Sequence, residues 1–215
     1  MKNMLPKKLE AIFLDFDGVV VDSTDIKTQA FYELYLPYGA DIAVKAREYH
    51  LANQGVSRHK KFECVHRQLL NQEPNQQDYN TLSEKFSEII LAKIIICPLI
   101  NGITEFLAKN SEHDIPVFLL SATPDAELKF ICDKRDLSRY FTGIFGYPFE
   151  KANCGAELIN KYNFTVQNII FVGDSISDYK ASNQIGSNFI GLVANDNINP
   201  FPNGVLVVQD FDELM

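Results

Sequence analysis

Ala11-Ile12-Phe13-Leu14-Asp15-Phe16-Asp17-Gly18 is the stretch that decides how the rest of the chain is read. Ala11 to Leu14 is a short apolar run, the pattern of a strand buried on both faces of a parallel sheet. Two carboxylates, Asp15 and Asp17, follow at its end, and Gly18 stands where the backbone must turn sharply or approach a ligand. Side chains alternate along extended chain, so residues two apart address one space. Beyond the carboxyl end of a strand, that space is where open α/β sheets hold their ligands. Neighbouring carboxylates repel unless something offsets them, and a divalent cation is the simplest candidate.

Working outward, the pattern turns helical after Gly18. Ser23 or Thr24 can cap a helix carrying Ile26, Ala30, Phe31 and Leu34, which Pro37-Tyr38-Gly39 stops. A second helix is expected over 41–51. A third begins near Ser57, with Phe62, Val65 and Leu69 on one face, and a fourth shows Tyr79, Leu82, Phe86, Ile89 and Ile90. Nothing between Asp22 and Ile94 reads as a strand, so this segment is a helical insert.

From Cys97 strands return. Val117 to Leu120 is an apolar run ending in Ser121 and Thr123, and Thr123-Pro124-Asp125 reads as a helix start with Thr123 as cap and Pro124 at the first position. Gly143 to Gly146 is a short strand, a loop leads to Lys151, and a helix with Leu158, Ile159 and Tyr162 follows. Asn168 to Val172 ends in Gly173-Asp174-Ser175 before a helix containing Asp178 and Tyr179. Residues 189–193 and 205–208 supply two more strands. Strands alternating with helices make an α/β fold, a Rossmann-like doubly wound parallel sheet. The expected division is a core of residues 1–19 and 97–215 with an inserted α-helical cap domain over 20–96.

Composition narrows the function classes. With 46% apolar and 22% charged residues over 215 positions, the chain has the balance of a globular protein with a sizeable core and not of a disordered one. A net charge of −8 argues against a nucleic-acid partner. It also draws attention to isolated basic residues near any anion site. The four cysteines, Cys64, Cys97, Cys132 and Cys154, are widely spaced, which fits reduced thiols and neither a disulfide frame nor a zinc site. Residues 1–8 lack the apolar core of a signal peptide, and no run approaches a membrane span. A cytoplasmic protein without a membrane partner is expected. Nothing in the sequence sets an oligomeric state.

Three strands therefore end in polar residues: Asp15 and Asp17, then Ser121, then Asp174. In a parallel sheet these ends share one edge, and Lys151 falls on the same rim. Carboxylates for a metal, a hydroxyl and an ammonium suit a phosphoryl group, whose equatorial oxygens need opposing charge while one aspartate attacks phosphorus.

Phe-Leu-Asp-Phe-Asp-Gly-Val, Leu-Leu-Ser-Ala-Thr-Pro, Lys151 and Val-Gly-Asp-Ser-Ile-Ser-Asp stand in the order of the four motifs of the haloacid dehalogenase superfamily. The chain resembles the branch with a helical cap between the first two motifs, which includes phosphoglycolate phosphatases and β-phosphoglucomutases. The resemblance implies a phosphatase of a small phosphorylated metabolite, working through an aspartyl-phosphate. It makes Asp15 the nucleophile and Asp17 the general acid and base. Mg²⁺ would be held by Asp15, the Asp17 main-chain carbonyl and Asp174, with Asp178 supporting the metal waters and Lys151. Ser121 and Lys151 would bind the phosphoryl group. Lys151-Ala-Asn replaces the Lys-Pro-x-Pro frequent in the phosphoglycolate branch, which leaves the substrate open. Asp17 argues for phosphate esters, since dehalogenases and phosphonatases lack an acid at that position.

In the insert, Gly55-Val56-Ser57-Arg58 resembles the specificity loop of the mutase-like members, which implies that Arg58 contacts the substrate away from the metal. His59, Lys60 and Lys61 complete a basic run that reads either as a solvated helix start or as part of the same surface. His59 and His66 lie seven apart and could share a helix face, but no third metal ligand is in view. Lys27 stands where β-phosphoglucomutases carry a gating histidine. A lysine does not give and take a proton near neutrality, so Lys27 favours hydrolysis over a phosphomutase and adds positive charge for an anionic substrate. A non-catalytic binding module is the remaining alternative, opposed by the complete set of motif residues.

Overall fold

The computed structural model describes residues 6, 8–194 and 198–215. The amino-terminal stretch read above for a signal sequence lies largely outside the described residues. The chain forms two compact units, one from the segments up to Asp22 and from Pro98 onward, the other from Ser23–Cys97.

The first unit is a six-stranded parallel sheet. Its strands are β1 (Ala11–Leu14), β2 (Val117–Pro124), β3 (Gly143–Tyr147), β4 (Ile169–Gly173), β5 (Asn188–Leu192) and β6 (Leu206–Val208), in the order β3-β2-β1-β4-β5-β6. The order reverses at β1, which pairs with β2 on one side and β4 on the other. Such a reversal opens a crevice beyond the carboxyl ends of the two strands on either side of it. The apolar runs of β1 and β4 are buried at every residue, as strands covered on both faces must be.

Phe13 sits at the middle of this core, edge-on to Phe118 at 5.8 Å and Phe171 at 6.2 Å. Cys154 and Leu158 of helix Lys151–Tyr162 and Ala181 of helix Ile176–Ile185 close the same face. Both helices begin within a few residues of a strand's carboxyl end, so their first turns lie on the crevice rim.

The expectation for β2 needs correction. The strand does not stop at Leu120 but continues through Pro124, and its register against β3 shifts on the way. Leu120 pairs with Phe145 and Pro124 with Tyr147, so four steps along β2 match two along β3. An irregularity of this kind releases residues from the ladder and re-aims their side chains. Thr123 is therefore a strand residue. Pro124, and not Thr123, takes the N-cap position of helix Asp125–Lys134.

The second unit is helical, with α-helices Thr24–Tyr35, Ala40–Ala52, Arg58–Leu69 and Gln76–Ile96. The last of these carries Leu82, Phe86, Ile90 and Ile94 buried at every fourth position, one stripe of a helix surface. Asn75 opens it with a reciprocal capping box to Asp78. Phe31 stacks on His50 at 4.4 Å and meets Phe86 at 5.0 Å and Phe62 at 5.7 Å. The junctions fall between Asp22 and Ser23 and between Cys97 and Pro98, against 19/20 and 96/97 expected from the sequence. Val20 to Asp22 pairs with Pro98 to Ile100, through Asp22 N–H to the Pro98 carbonyl at 2.9 Å and Ile100 N–H to the Val20 carbonyl at 3.1 Å.

Two residues of the basic run turn inward. Lys61 is buried, with Nζ 3.0 Å from His50 Nδ1. Arg58 is buried as well, its guanidinium 4.7 Å over the Phe86 ring and Nη1 donating to Ser87 Oγ at 2.8 Å. Lys27 lies partly buried in the first turn of its helix. Among the described residues, no helix is long and apolar enough to cross a membrane.

Candidate active site

Asp15 follows β1 directly and extends its pairing, donating its amide to the Val172 carbonyl at 3.0 Å. Phe16 turns the other way and is fully buried, while Gly18 adopts φ +73°, a conformation that side chains with a Cβ rarely take. The chain then folds back so that Gly18 donates to the Val21 carbonyl at 2.8 Å, which holds Asp17 at the end of the strand.

Asp15 is 3% exposed. Oδ1 accepts from the Phe16 amide at 2.7 Å and from Lys151 Nζ at 2.8 Å. Both bonds fall on the same oxygen, and among the described residues Oδ2 accepts no protein hydrogen bond. One oxygen is thus pinned while the other is presented.

Lys151 opens its helix with a cation, against the helix dipole. What holds it there is a pair of carboxylates, Asp15 and Asp178, whose Oδ1 lies 2.5 Å from Nζ. Asp178 is itself fixed, because Ser175 Oγ donates to its Oδ2 at 2.6 Å and the Ser175 amide to the same oxygen at 3.2 Å. This is a capping box, Ser175-x-x-Asp178, at the start of Ile176–Ile185. Gly173 makes room for it, since a Cβ there would collide with Asp178 Cβ.

Asp174 completes the cluster. Oxygens of Asp15, Asp174 and Asp178 all lie within 4.8 Å of one another. Burial, then the charges of Asp178 and Asp17, push Asp15 up to about 7, with Lys151 opposing. Asp174 is raised well above the ordinary carboxylate value, first by burial and then by Asp15 and Asp178. For Lys151 burial works against the charge, but Asp15 and Asp178 outweigh it and raise the ammonium further. Three carboxylates around a single lysine leave negative charge in excess, and hard oxygen donors gathered this closely could hold a divalent cation. Both Asp178 oxygens are already engaged, so Asp15 and Asp174 are the side chains with oxygens to give.

Asp17 and Ser121 have a different neighbour. Thr123 Oγ1 donates to Asp17 Oδ2 at 2.9 Å, and the Thr123 amide donates to Ser121 Oγ at 3.1 Å. Both Ser121 and Thr123 are buried. The structure therefore brings Asp15, Lys151, Asp174 and Asp178 together, and joins Asp17 to Ser121 through Thr123. Arg58 and Lys27 belong to the helical unit. Sequence reasoning missed the roles of Thr123 and Ser175. The Ser-x-x-Asp spacing was the available signal for Ser175, while the true length of β2 hid that of Thr123.

A family model of haloacid dehalogenase-like hydrolases matches residues 9–186. The chain belongs to this family. No curated protein sequence matches it. Among solved structures, this hydrolase is similar to a β-phosphoglucomutase from Clostridium difficile, at 20% identity and a TM-score of 0.77 over 96% of this chain and 93% of that one. A family IA, variant 3 HAD hydrolase from Entamoeba histolytica gives 17% identity and 0.78, covering 96% of each chain. A predicted phosphoglycolate phosphatase from Haemophilus somnus gives 15% and 0.73, again over 96% of each. At these identities the likeness of the hydrolase to each of them is one of fold.

Proposed function

We infer that this hydrolase is a Mg²⁺-dependent phosphatase of a small phosphorylated metabolite. The observation that carries the reading is the unequal setting of its two motif aspartates. Asp15 is buried against Lys151 with one oxygen presented, whereas Asp17 is partly buried and held by a hydroxyl. Carboxylates in such distinct environments suit distinct roles, nucleophile and proton carrier.

In the first step Asp15 Oδ2 forms a bond to phosphorus as the ester P–O bond breaks, and Asp17 gives its proton to the leaving oxygen. In the second, Asp17 takes a proton from water as the water oxygen attacks phosphorus, releasing inorganic phosphate and restoring Asp15. Lys151 and Ser121 are assigned to the phosphoryl oxygens. Ser121 Oγ accepts the Thr123 amide through a lone pair, so its O–H proton remains to donate. Asp15, Asp174 and the Asp17 main-chain carbonyl would hold magnesium, with Asp178 behind them. When bound, the ion supplies positive charge opposite the transferring group.

Arg58 and Lys27 carry over as proposed specificity residues, and Lys27 in place of a gating histidine favours hydrolysis over isomerisation. The test is a panel of sugar, nucleotide and short-acid phosphates with Mg²⁺, scored for inorganic phosphate. It includes β-glucose 1-phosphate with a bisphosphate primer. Phosphate release from at least one ester class, abolished in Asp15→Asn, is expected. Isomer formation outrunning phosphate release would replace the phosphatase with a mutase.

A further inference from the structure

The bonds of Thr123 go beyond the motif roles. It is 3% exposed and sits in the irregular stretch of β2, where the register shift frees residues 121–123 from regular pairing with β3. Its hydroxyl donates to Asp17 Oδ2 and its amide to Ser121 Oγ, so one residue ties together two groups that come from separate strands. Threonine suits the place. Its β-branch restricts χ1, and a threonine in a buried strand offers one hydroxyl in a nearly fixed direction.

We propose that Thr123 is a positioning residue for Asp17, selecting the rotamer and the oxygen through which Asp17 handles its proton. A hydroxyl donating to Oδ2 makes that oxygen the poorer site for a proton, so the proton Asp17 carries sits on Oδ1. Oδ1 is then the atom that faces the ester oxygen in the first step and water in the second. Without the hydroxyl, the carboxylate loses the bond that sets its χ2 and makes its two oxygens unequal. The chemistry still has its nucleophile, Asp15, and its phosphoryl contacts. What it loses is an aligned acid and base.

The inference rests on the phosphatase reading, and leaving groups separate the two. A p-nitrophenolate leaves without a proton, whereas a simple alkoxide must be protonated as it departs. Thr123→Val keeps the shape and removes the hydroxyl. The parameter kcat/KM reports the step that releases the alcohol, and kcat includes hydrolysis of the aspartyl-phosphate. In Thr123→Val, kcat/KM for an alkyl phosphate should fall about 10- to 100-fold, while kcat/KM for p-nitrophenyl phosphate stays within about threefold. The kcat for both esters should fall, because water activation in the second step also uses Asp17. Thr123→Ser, which keeps a hydroxyl, should recover most of the alkyl-ester rate.

An equal loss of kcat/KM on both esters would make Thr123 structural and overturn the proposal, as would unchanged rates or a failure of serine to rescue. If Thr123→Val does not fold, by its circular dichroism, Thr123→Ala is held to the same pattern. A wild-type chain inert towards both esters would instead remove the phosphatase reading itself, and the role of Thr123 with it.

Discussion

Replacing Asp15 by asparagine should make the metal-free protein more stable, by an amount that grows with pH. Asp15 is buried, and burial together with Asp178 and Asp17 lifts it to about 7 from an ordinary value near 3.8. Between those values the folded chain binds a proton that the unfolded chain has lost. Stability must therefore fall as pH rises through this window. At ~1.4 kcal/mol for each pH unit of difference, the ionised carboxylate costs on the order of 4 kcal/mol at pH 8. At pH 5 the same linkage leaves only about 1–2 kcal/mol, since the folded state is then already protonated. An asparagine side chain never ionises, so the advantage of Asp15→Asn should widen by about 2–3 kcal/mol from pH 5 to pH 8. Urea unfolding with a chelator present throughout measures it, followed by circular dichroism because the chain has no tryptophan. A difference between variant and wild type that does not change with pH, or a variant less stable at pH 8, would refute the reasoning.

Gly173→Ala drives a methyl into Asp178, and should cost about 1–3 kcal/mol in urea unfolding as overpacking while lowering turnover, since Lys151 loses its anchor. Arg58→Ala should destabilise the helical unit by about 1–2 kcal/mol, read in the same way, because the guanidinium lies on Phe86 and bonds Ser87; an unchanged midpoint would show that these contacts add nothing to stability. Chelation should stop turnover and Mg²⁺ restore it, with Ca²⁺ a poor substitute because its coordination is larger and looser; full activity in chelator would exclude the metal.

The parts of the fold that could be read from sequence are those where neighbours in the chain decide burial. β1 and β4 are unbroken apolar runs, and the Leu82-Phe86-Ile90-Ile94 stripe repeats with the helix. Asp15 and Asp174 were visible because they stand directly at strand ends. Thr123 was hidden by distance, since its partner Asp17 lies 106 residues away and local spacing favoured a helix cap. The tertiary register of β2 against β3 overrode that preference. Lys61 and Arg58 were obscured by charge: a basic run reads as solvated, yet aromatic rings and a histidine nitrogen give both cations buried partners. For Asp178 the sequence held two signals, the capping spacing and the motif, and the geometry joins them through Lys151 and Ser175.

The central claim is that Asp15 carries the phosphoryl group. The wild-type protein, mixed with Mg²⁺ and an ester it hydrolyses, is quenched in acid within a turnover, digested, and the peptide containing residues 11–18 is weighed. A phosphoryl group on Asp15 in the wild type, absent from Asp15→Asn and lost on incubation at neutral pH, is the expected result. Steady release of phosphate with Asp15 never modified, or with the phosphoryl group on another residue, would contradict it.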